Sequence, residues 1–469
     1  MERKKSTFAL FFGNRGFFPA SLQAGAREEV PKVLKSLGHE SIMMEAEATR
    51  YGAVETPTEG EKYRKFLEAH RGQYDGVILC LPNFGDETGA VAALKDAGTP
   101  ILVQAYPDEM DKMAPEVRRD AFCGKFSIMD VFCQYGVKFT ALQPHVVHPT
   151  SLKFAENIAY FDRLCRVVGS MKNLVVGAIG ARTTAFKTVR IDELTLQKHG
   201  ITVETFDLSD LFARIKSLDS TNADVKAKKE YFKTYTSWEG VQEETFTTLC
   251  KMGVAIDHLI AENHLDCLSL RCWIEMQQQL GVSPCVLLGE LNDRGIAAAC
   301  ELDTGNAVVM HALSLASGQP ATLLDWNNNY QDDEDKCILF HCGPVPQSLM
   351  TAKGRITDHA ILSNSVGAGK AYGCNVGRIA PTPFTFGSMI TEDGKIKCYL
   401  GEGRFTADSI PDEFFGCAGV AEFDKLQDKL QTIGYMGFRH HVSVSPGQQM
   451  LQPLQEAFTR YLNYDVTIV

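Results

Sequence analysis

KNLVVGAIGAR, residues 172–182, is a short apolar run closed by glycines and an arginine, and it repeats what the chain does near its start in FALFFGNRG, residues 8–16. Runs of this length are too short for buried helices and read as strands, and a glycine stop followed by helical spacing is the mark of a parallel α/β unit. Working outward from residue 8, SIMMEA (41–46), GVILCLP (76–82) and PILVQAY (100–106) read as further strands. Between them AREEVPKVLKSLG (26–38) and EKYRKFLEAHRG (61–72) carry apolar residues at helical spacing. Such alternation argues for a parallel sheet covered on both faces. Outward from 172, ITVETFDLSDLFARI (201–215) continues the pattern, DCLSLRCWIEMQQQLG (266–281) reads as a helix, and GIAAACELD (295–303) as a strand. Past about residue 330 the long helices give way to short strands and turns, with Asp393-Gly394 between two apolar runs as a hairpin signal. The expected fold class is α/β: two doubly wound α/β domains, 1–170 and 171–329, followed by a β-rich C-terminal domain, 330–469.

The 469 residues suffice to bury several cores, so neither disulfides nor a structural metal is needed to fold. A net charge of −11 with no basic run argues against a polyanion partner, and against sequence-independent binding of nucleic acid above all. The fourteen cysteines form no C-x-x-C pair and mostly lie in apolar runs such as those around Cys80 and Cys300, where a thiol acts as a small hydrophobe. That usage fits a reducing compartment. The opening MERKKSTFALFFGNRG resembles a leader, but Gly13-Asn14-Arg15 breaks the run and no small-residue cleavage site follows, so it reads as a first strand. No apolar stretch is long enough to span a membrane. A cytoplasmic protein is expected.

Several motifs reduce to ordinary turns. Gly177-x-x-Gly180 lacks the rest of a dinucleotide fingerprint. SVGAGKAYG (365–373) lacks a phosphate loop's first glycine, and Lys370 is followed by Ala371. His145 and His148 sit in a Pro-bounded loop, and Asp332 to Asp335 read as a solvated acidic turn. Another group behaves differently. Glu301 closes the apolar run GIAAAC, and Asp325 follows QPATLL one helix and one strand later. Burying two carboxylates is costly unless something positive meets them. His341 ends KCILF, and His440-His441 lie in GFRHHVSVSPG (437–447). Two carboxylates and one or two imidazoles at strand ends make a divalent-metal set, and oxygen and nitrogen donors without thiolate favour Mn²⁺ or a similar hard ion over structural zinc. Each residue taken alone could equally be a capped turn or a satisfied core group.

At these residues the sequence resembles the L-fucose isomerase / L-arabinose isomerase family. The likeness is carried by CWIEMQQQLGVSPCVLLGELNDRGIAAACELD (272–303), SGQPATLLDWNN (317–328) and GFRHHVSVSPG, with FFGNRGFFPASL (11–22) and IGARTTAFKTVR (179–190) resembling the first two domains of short fucose isomerase-like proteins. The resemblance implies a three-domain Mn²⁺-dependent aldose–ketose isomerase acting on a small-molecule sugar and assembled as a homo-oligomer, a hexamer by family habit. By motif, Glu301 and Asp325 match the two carboxylate ligands and His441, the second of the pair, matches the C-terminal ligand. His341 stands where arabinose isomerases supply another histidine, although FHCGPVP is not their motif, so metal ligation and substrate contact both stay open. The chemistry implied is proton transfer through a cis-enediolate, with Glu301 as base and Asp325 as its acid/base partner. A hydride shift is the other route.

Specificity is thinner. Arg15, in the turn after the first strand, and Arg182 could reach an anionic sugar such as sulfoquinovose, since guanidinium pairs bidentately with oxyanions. A neutral deoxyhexose or pentose is the alternative. Trp273 and Trp326 could stack on a sugar face or pack in the core, and His440 is a further candidate contact. Two other function classes fit the same residues, a sugar-binding regulator that lost turnover and a metal-dependent aldolase.

Overall fold

The computed structural model describes residues 5–19 and 21–469. Residues 1–4, at the start of the stretch weighed as a leader, and Ala20 lie outside them. The chain divides into two compact units, one running to Ser170 and the other from Met171 to Val469. Among the described residues no helix is long and apolar enough to cross a membrane.

The first unit is built on strands β1 (Phe8–Phe12), β2 (Ser41–Met43), β3 (Gly76–Leu81) and β4 (Ile101–Ala105). They form a parallel sheet in the order β2-β1-β3-β4. Every residue of β1, β3 and β4 is buried, as unbroken apolar runs require when helices cover both faces. Those helices are α1 (Ser21–Ser36), α2 (Pro57–Ala69), α3 (Glu87–Leu94), α4 (Ala121–Gln134) and α5 (Leu152–Met171). The start of α2 is fixed by Thr56 and Glu59, which cap each other's backbone N–H, with Pro57 preset for the first helical position.

The second unit opens with β5 (Leu174–Ile179), α6 (Glu193–Lys198), β6 (Ile201–Phe206), α7 (Leu208–Ser217), α8 (Ala223–Tyr235) and α9 (Glu243–Asn263). It continues with β7 (Cys267–Leu270), α10 (Glu275–Leu280), α11 (Cys285–Asp293), β8 (Ala297–Cys300) and α12 (Thr304–Ser317). The four strands make a second parallel sheet, β6-β5-β7-β8. Residues 266–281, expected as one helix, are instead strand β7, a turn and the short α10. All four residues of β7 are buried between β5 and β8, and pairing on both edges satisfies a backbone whose local spacing suggested a helix. A Cβ at Gly177 in β5 would stand 2.6 Å from Leu265 Cδ1, so the Leu265 side chain would have to shift to admit it.

The remaining strands are β9 (Thr322–Tyr330), β10 (Asp333–His341), β11 (Arg355–Asp358), β12 (Tyr372–Arg378), β13 (Thr382–Glu392), β14 (Lys395–Phe405), β15 (Cys417–Glu422), β16 (His441–Pro446) and β17 (Asp465–Ile468). They form a mixed sheet, β11-β12-β15-β10-β9-β16-β13-β14-β17, in which β14 also pairs with β15. The run from β15 through β10, β9, β16 and β13 to β14 therefore closes on itself, which removes its free edges. Leu324, Leu339, Phe384, Phe386, Tyr399, Val442 and Val444 share the core of this ring. The hairpin at Asp393-Gly394 has positive φ at both residues, as a tight type I′ turn requires. The division read from sequence at 329/330 falls inside β9, and the parallel sheet and the ring belong to one compact unit. The molecule is thus an α/β protein with a β-rich C-terminal region.

Candidate metal centre

Strand β8 delivers Glu301 one residue beyond its buried Ala297–Cys300 run. The chain then turns through Leu302, held at φ 64°, into Asp303, which caps α12 by accepting from Asn306 N at 3.1 Å. Asp325 is not at a strand end as expected but is the fourth residue of β9, where it pairs across the ladder with His441, the first residue of β16. Residues directly opposite share a face, so both point away from the ring core that takes their neighbours Leu324 and Val442. His441 Nε2 stands 3.7 Å from Glu301 Oε2 and 3.5 Å from Asp325 Oδ1. His440 Nε2 is 3.7 Å from that same Asp325 oxygen.

Sequence reasoning missed the residue that orients this centre. Asp303 is fully buried and accepts from His441 Nδ1 at 2.8 Å, from Asn306 Nδ2 at 2.6 Å and from the Arg439 guanidinium. Burial opposes its charge, but Arg439 and His441 outweigh that and hold Asp303 down at about 2. A permanent carboxylate on Nδ1 fixes the tautomer and leaves Nε2 to face Glu301 and Asp325, as in carboxylate–histidine–metal arrangements. The signal was in the sequence, as an acid two residues past Glu301 at the start of an apolar helical run, where a helix cap is the ordinary reading.

Donors that each bind one ion at ~2.1 Å stand roughly 3–4 Å apart. His441 Nε2 has that spacing to both Glu301 and Asp325, and Asp325, His440 and His441 each offer a donor atom within 4.8 Å of the others. Asp325 Oδ1 is buried without a hydrogen-bond partner, and burial raises the Asp325 carboxyl despite three nearby imidazoles. Burial favours a neutral His441, but Asp303 and Glu301 overcome it and push the imidazole up to about 9. The pocket therefore holds negative charge that a proton on His441 only partly answers, and a divalent cation in place of that proton fits the donor set.

The other candidate contacts are scattered. His341 ends β10 with its ring centroid 6.0 Å from that of His441, and its buried Nε2 has no hydrogen-bond partner. Trp273 lies near the centre: its ring meets Phe186 edge-on at 5.9 Å, and Phe186 in turn contacts His440 and His441 at 5.5 and 5.8 Å. Phe186, in the loop after β5, is a wall of the site that sequence reasoning overlooked. Trp326, considered for sugar stacking, points the opposite way from Asp325 and packs on Phe386 and Phe423, its indole N–H donating to Tyr399 Oη at 3.3 Å. Alternation along β9 forces this, since only one of two successive residues can face the site. Arg182 donates to the backbone of its own loop at Thr183 and Thr184. It also lines, with Arg190, an open cavity of about 650 Å³ at the carboxyl ends of β5 and β6 that reaches Leu302 and Thr304. Arg15 belongs to the first unit, where Glu87, the Gly85 carbonyl and the Phe84 ring engage its guanidinium.

Residues 9–172 match the model for the N-terminal domain of fucose/sulfoquinovose isomerase, and residues 339–469 match the L-fucose isomerase C-terminal domain. The chain belongs to the fucose isomerase-like family. Among this family's curated members, a sulfoquinovose isomerase of Priestia aryabhattai is 21% identical over 400 residues, 83% of this chain and 85% of the relative. Those of Alkalicoccus urumqiensis and Clostridium sp. (strain MSTE9) are 25% identical over 299 residues and 26% over 263. The first of these covers 63% of this chain and 66% of the relative, the second 56% and 57%. As a fucose isomerase-like protein the chain is an enzyme of the aldose–ketose isomerase class.

Proposed function

We propose that the protein is a cytoplasmic, homo-oligomeric, divalent-metal-dependent isomerase that interconverts an anionic aldose and its ketose through a cis-enediolate. Mn²⁺ is the resident ion and a hexamer the assembly. The observation that carries the reading is His441 Nε2 standing 3.7 Å from Glu301 and 3.5 Å from an Asp325 oxygen that has no hydrogen-bond partner. Glu301, Asp325 and His441 would hold a cation that, when bound, would polarise the substrate carbonyl and stabilise negative charge on its oxygen.

The chain's own groups move the protons. Glu301 takes the proton from the substrate carbon and returns it to the neighbouring carbon, while Asp325 relays the proton between the two oxygens. Asp303 keeps His441 in one tautomer, and His440 and Phe186 bound the space beside it. Arg182 and Arg190 line the neighbouring cavity, and guanidinium groups recognise a sulfonate, the anion of the sugar that names the relatives.

The test is direct. Metal-stripped protein incubated with sulfoquinovose is expected to form no ketose, and Mn²⁺ to restore formation, followed by NMR. Solvent deuterium should enter the product at the exchanged carbon. Retention of full activity after stripping, or carbon–carbon cleavage products, would overturn the reading.

A further inference from the structure

On the other side of His341 lies a group of donors that the isomerase reading does not use. Cys300, His341 and Cys342 each offer one donor atom, and the three lie within 4.8 Å of one another, all buried. Cys342 Sγ is 3.2 Å from His341 Nδ1 and 3.5 Å from Cys285 Sγ, and Cys374 Sγ is 3.9 Å from Cys285 Sγ. These cysteines come from β8, the end of β10, the start of α11 and β12, elements that meet only through the fold. Gly343 permits the approach, since a Cβ there would stand 2.8 Å from Asn375 N and 3.2 Å from Cys285 Cβ.

A tetrahedral ion bound at ~2.3 Å to sulfur and ~2.0 Å to nitrogen sets its donors roughly 3.5–3.8 Å apart. The sulfur–sulfur spacings of 3.5 and 3.9 Å are of that size, and the sulfur–nitrogen spacing of 3.2 Å is shorter. The donor set is the opposite of the first centre, which has two carboxylates and no thiol, so the two select different ions by softness. His341 Nδ1, the nitrogen beside the thiols, accepts from the Cys342 backbone N–H at 2.9 Å, a bond that a cation taking the same lone pair would replace.

We propose that Cys300, His341 and Cys342, with Cys285 as fourth donor, form a second, sulfur-rich site for a zinc-type cation, separate from the carboxylate centre. This does not rest on the isomerase reading. The exposed Cys123 and Cys133 are first replaced by serine in the full-length protein so that surface thiols do not contribute. Co²⁺ is then titrated and followed by absorption. The expected result is sulfur-to-cobalt charge transfer with tetrahedral visible bands saturating at one equivalent. The bands should persist in Glu301→Gln and be lost in Cys300→Ser and in Cys342→Ser at unchanged far-ultraviolet circular dichroism. The proposal fails if the parent protein gives no sulfur band, if the band survives both serine changes, or if Glu301→Gln abolishes it. Should a serine variant not fold, the parent and Glu301→Gln titrations still decide.

Discussion

The two parallel sheets of the molecule have the same strand order, β2-β1-β3-β4 in the first unit and β6-β5-β7-β8 in the second, yet their carboxyl ends are finished differently. In the first, Asn14 after β1 accepts from Asn83 after β3 and from Gln23 of α1, and it donates to Glu55. Arg15 closes on Glu87. Polar groups at these ends answer one another, with Gln23 Oε1 left over. In the second, Glu301 after β8 meets the imidazole of His441 at 3.7 Å, and Asp325 keeps a buried oxygen without a hydrogen-bond partner. The carboxyl ends of parallel strands are where α/β folds bind ligands, so topology nominates both. Hydrogen-bond accounting chooses between them, because a satisfied network is spent on stability and an unsatisfied buried one waits for something to bind.

The sharpest way to break the contrast is Glu301→Gln. It keeps the shape and removes one carboxylate from the unsatisfied end, so turnover is expected to fall roughly 10³-fold or more while folding is retained. Steady-state assay with sulfoquinovose and a thermal melt read the two. A variant that turns over within tenfold of the parent would move the chemistry elsewhere.

Asp303→Asn tests the same end from behind. It leaves every proposed ligand in place but weakens the group that orients His441. Loss of such a partner typically costs ~10–100-fold in metal affinity. Titration calorimetry with Mn²⁺ should register that loss, and kcat at saturating metal should change less than the affinity does. A merely structural residue would lower the melting temperature and leave the metal Kd alone.

How far the sequence carried this contrast can be seen residue by residue. The strands announced themselves because fully buried parallel strands are unbroken apolar runs, as FALFF and GVILCLP are. The segment 266–281 misled because a strand paired on both edges needs no local signal of its own. Glu301 and Asp325 were legible as carboxylates attached to apolar runs. Their meeting with His441 depends on the β9–β16 register, which no local pattern states. Asp303 was hidden by its second role as a helix cap. Cys300 read singly as a small hydrophobe, and the packing of α11 against β8 and β12 brings it together with Cys285, Cys342 and Cys374. Trp326 fell on the wrong side because the parity of β9 was set by Asp325.

The satisfied end predicts the converse of Glu301. Asn83→Ala removes a donor to Asn14 and the acceptor of Gly85 N, in a place that is wholly buried. Leaving such partners unmatched costs about 1–3 kcal/mol. Urea denaturation should show a lower midpoint, with Mn²⁺ affinity at the other sheet unchanged. A change in metal binding without a change in midpoint would mean that the two ends were assigned the wrong way round.

The smallest effect belongs to Lys125 on α4, a buried cation in the first unit that donates to the His145 carbonyl at 2.9 Å. Burial lowers its ammonium group from 10.5 to about 8. Below about pH 8 the folded and unfolded chains both carry the proton, and the folded one bears the desolvation in full. Between about 8 and 10.5 the unfolded chain binds more protons than the folded one, so stability rises with pH through that window. Lys125→Met removes the penalty and also the hydrogen bond, for a net gain of about 1 kcal/mol at neutral pH. That gain should shrink as pH approaches 10, which chemical denaturation of parent and variant at pH 7 and pH 9.5 measures. A gain that grows with pH would show that the lysine is held by an anion rather than strained by burial, and the first unit would then have an electrostatic debt at its helices as well as a closed network at its strand ends.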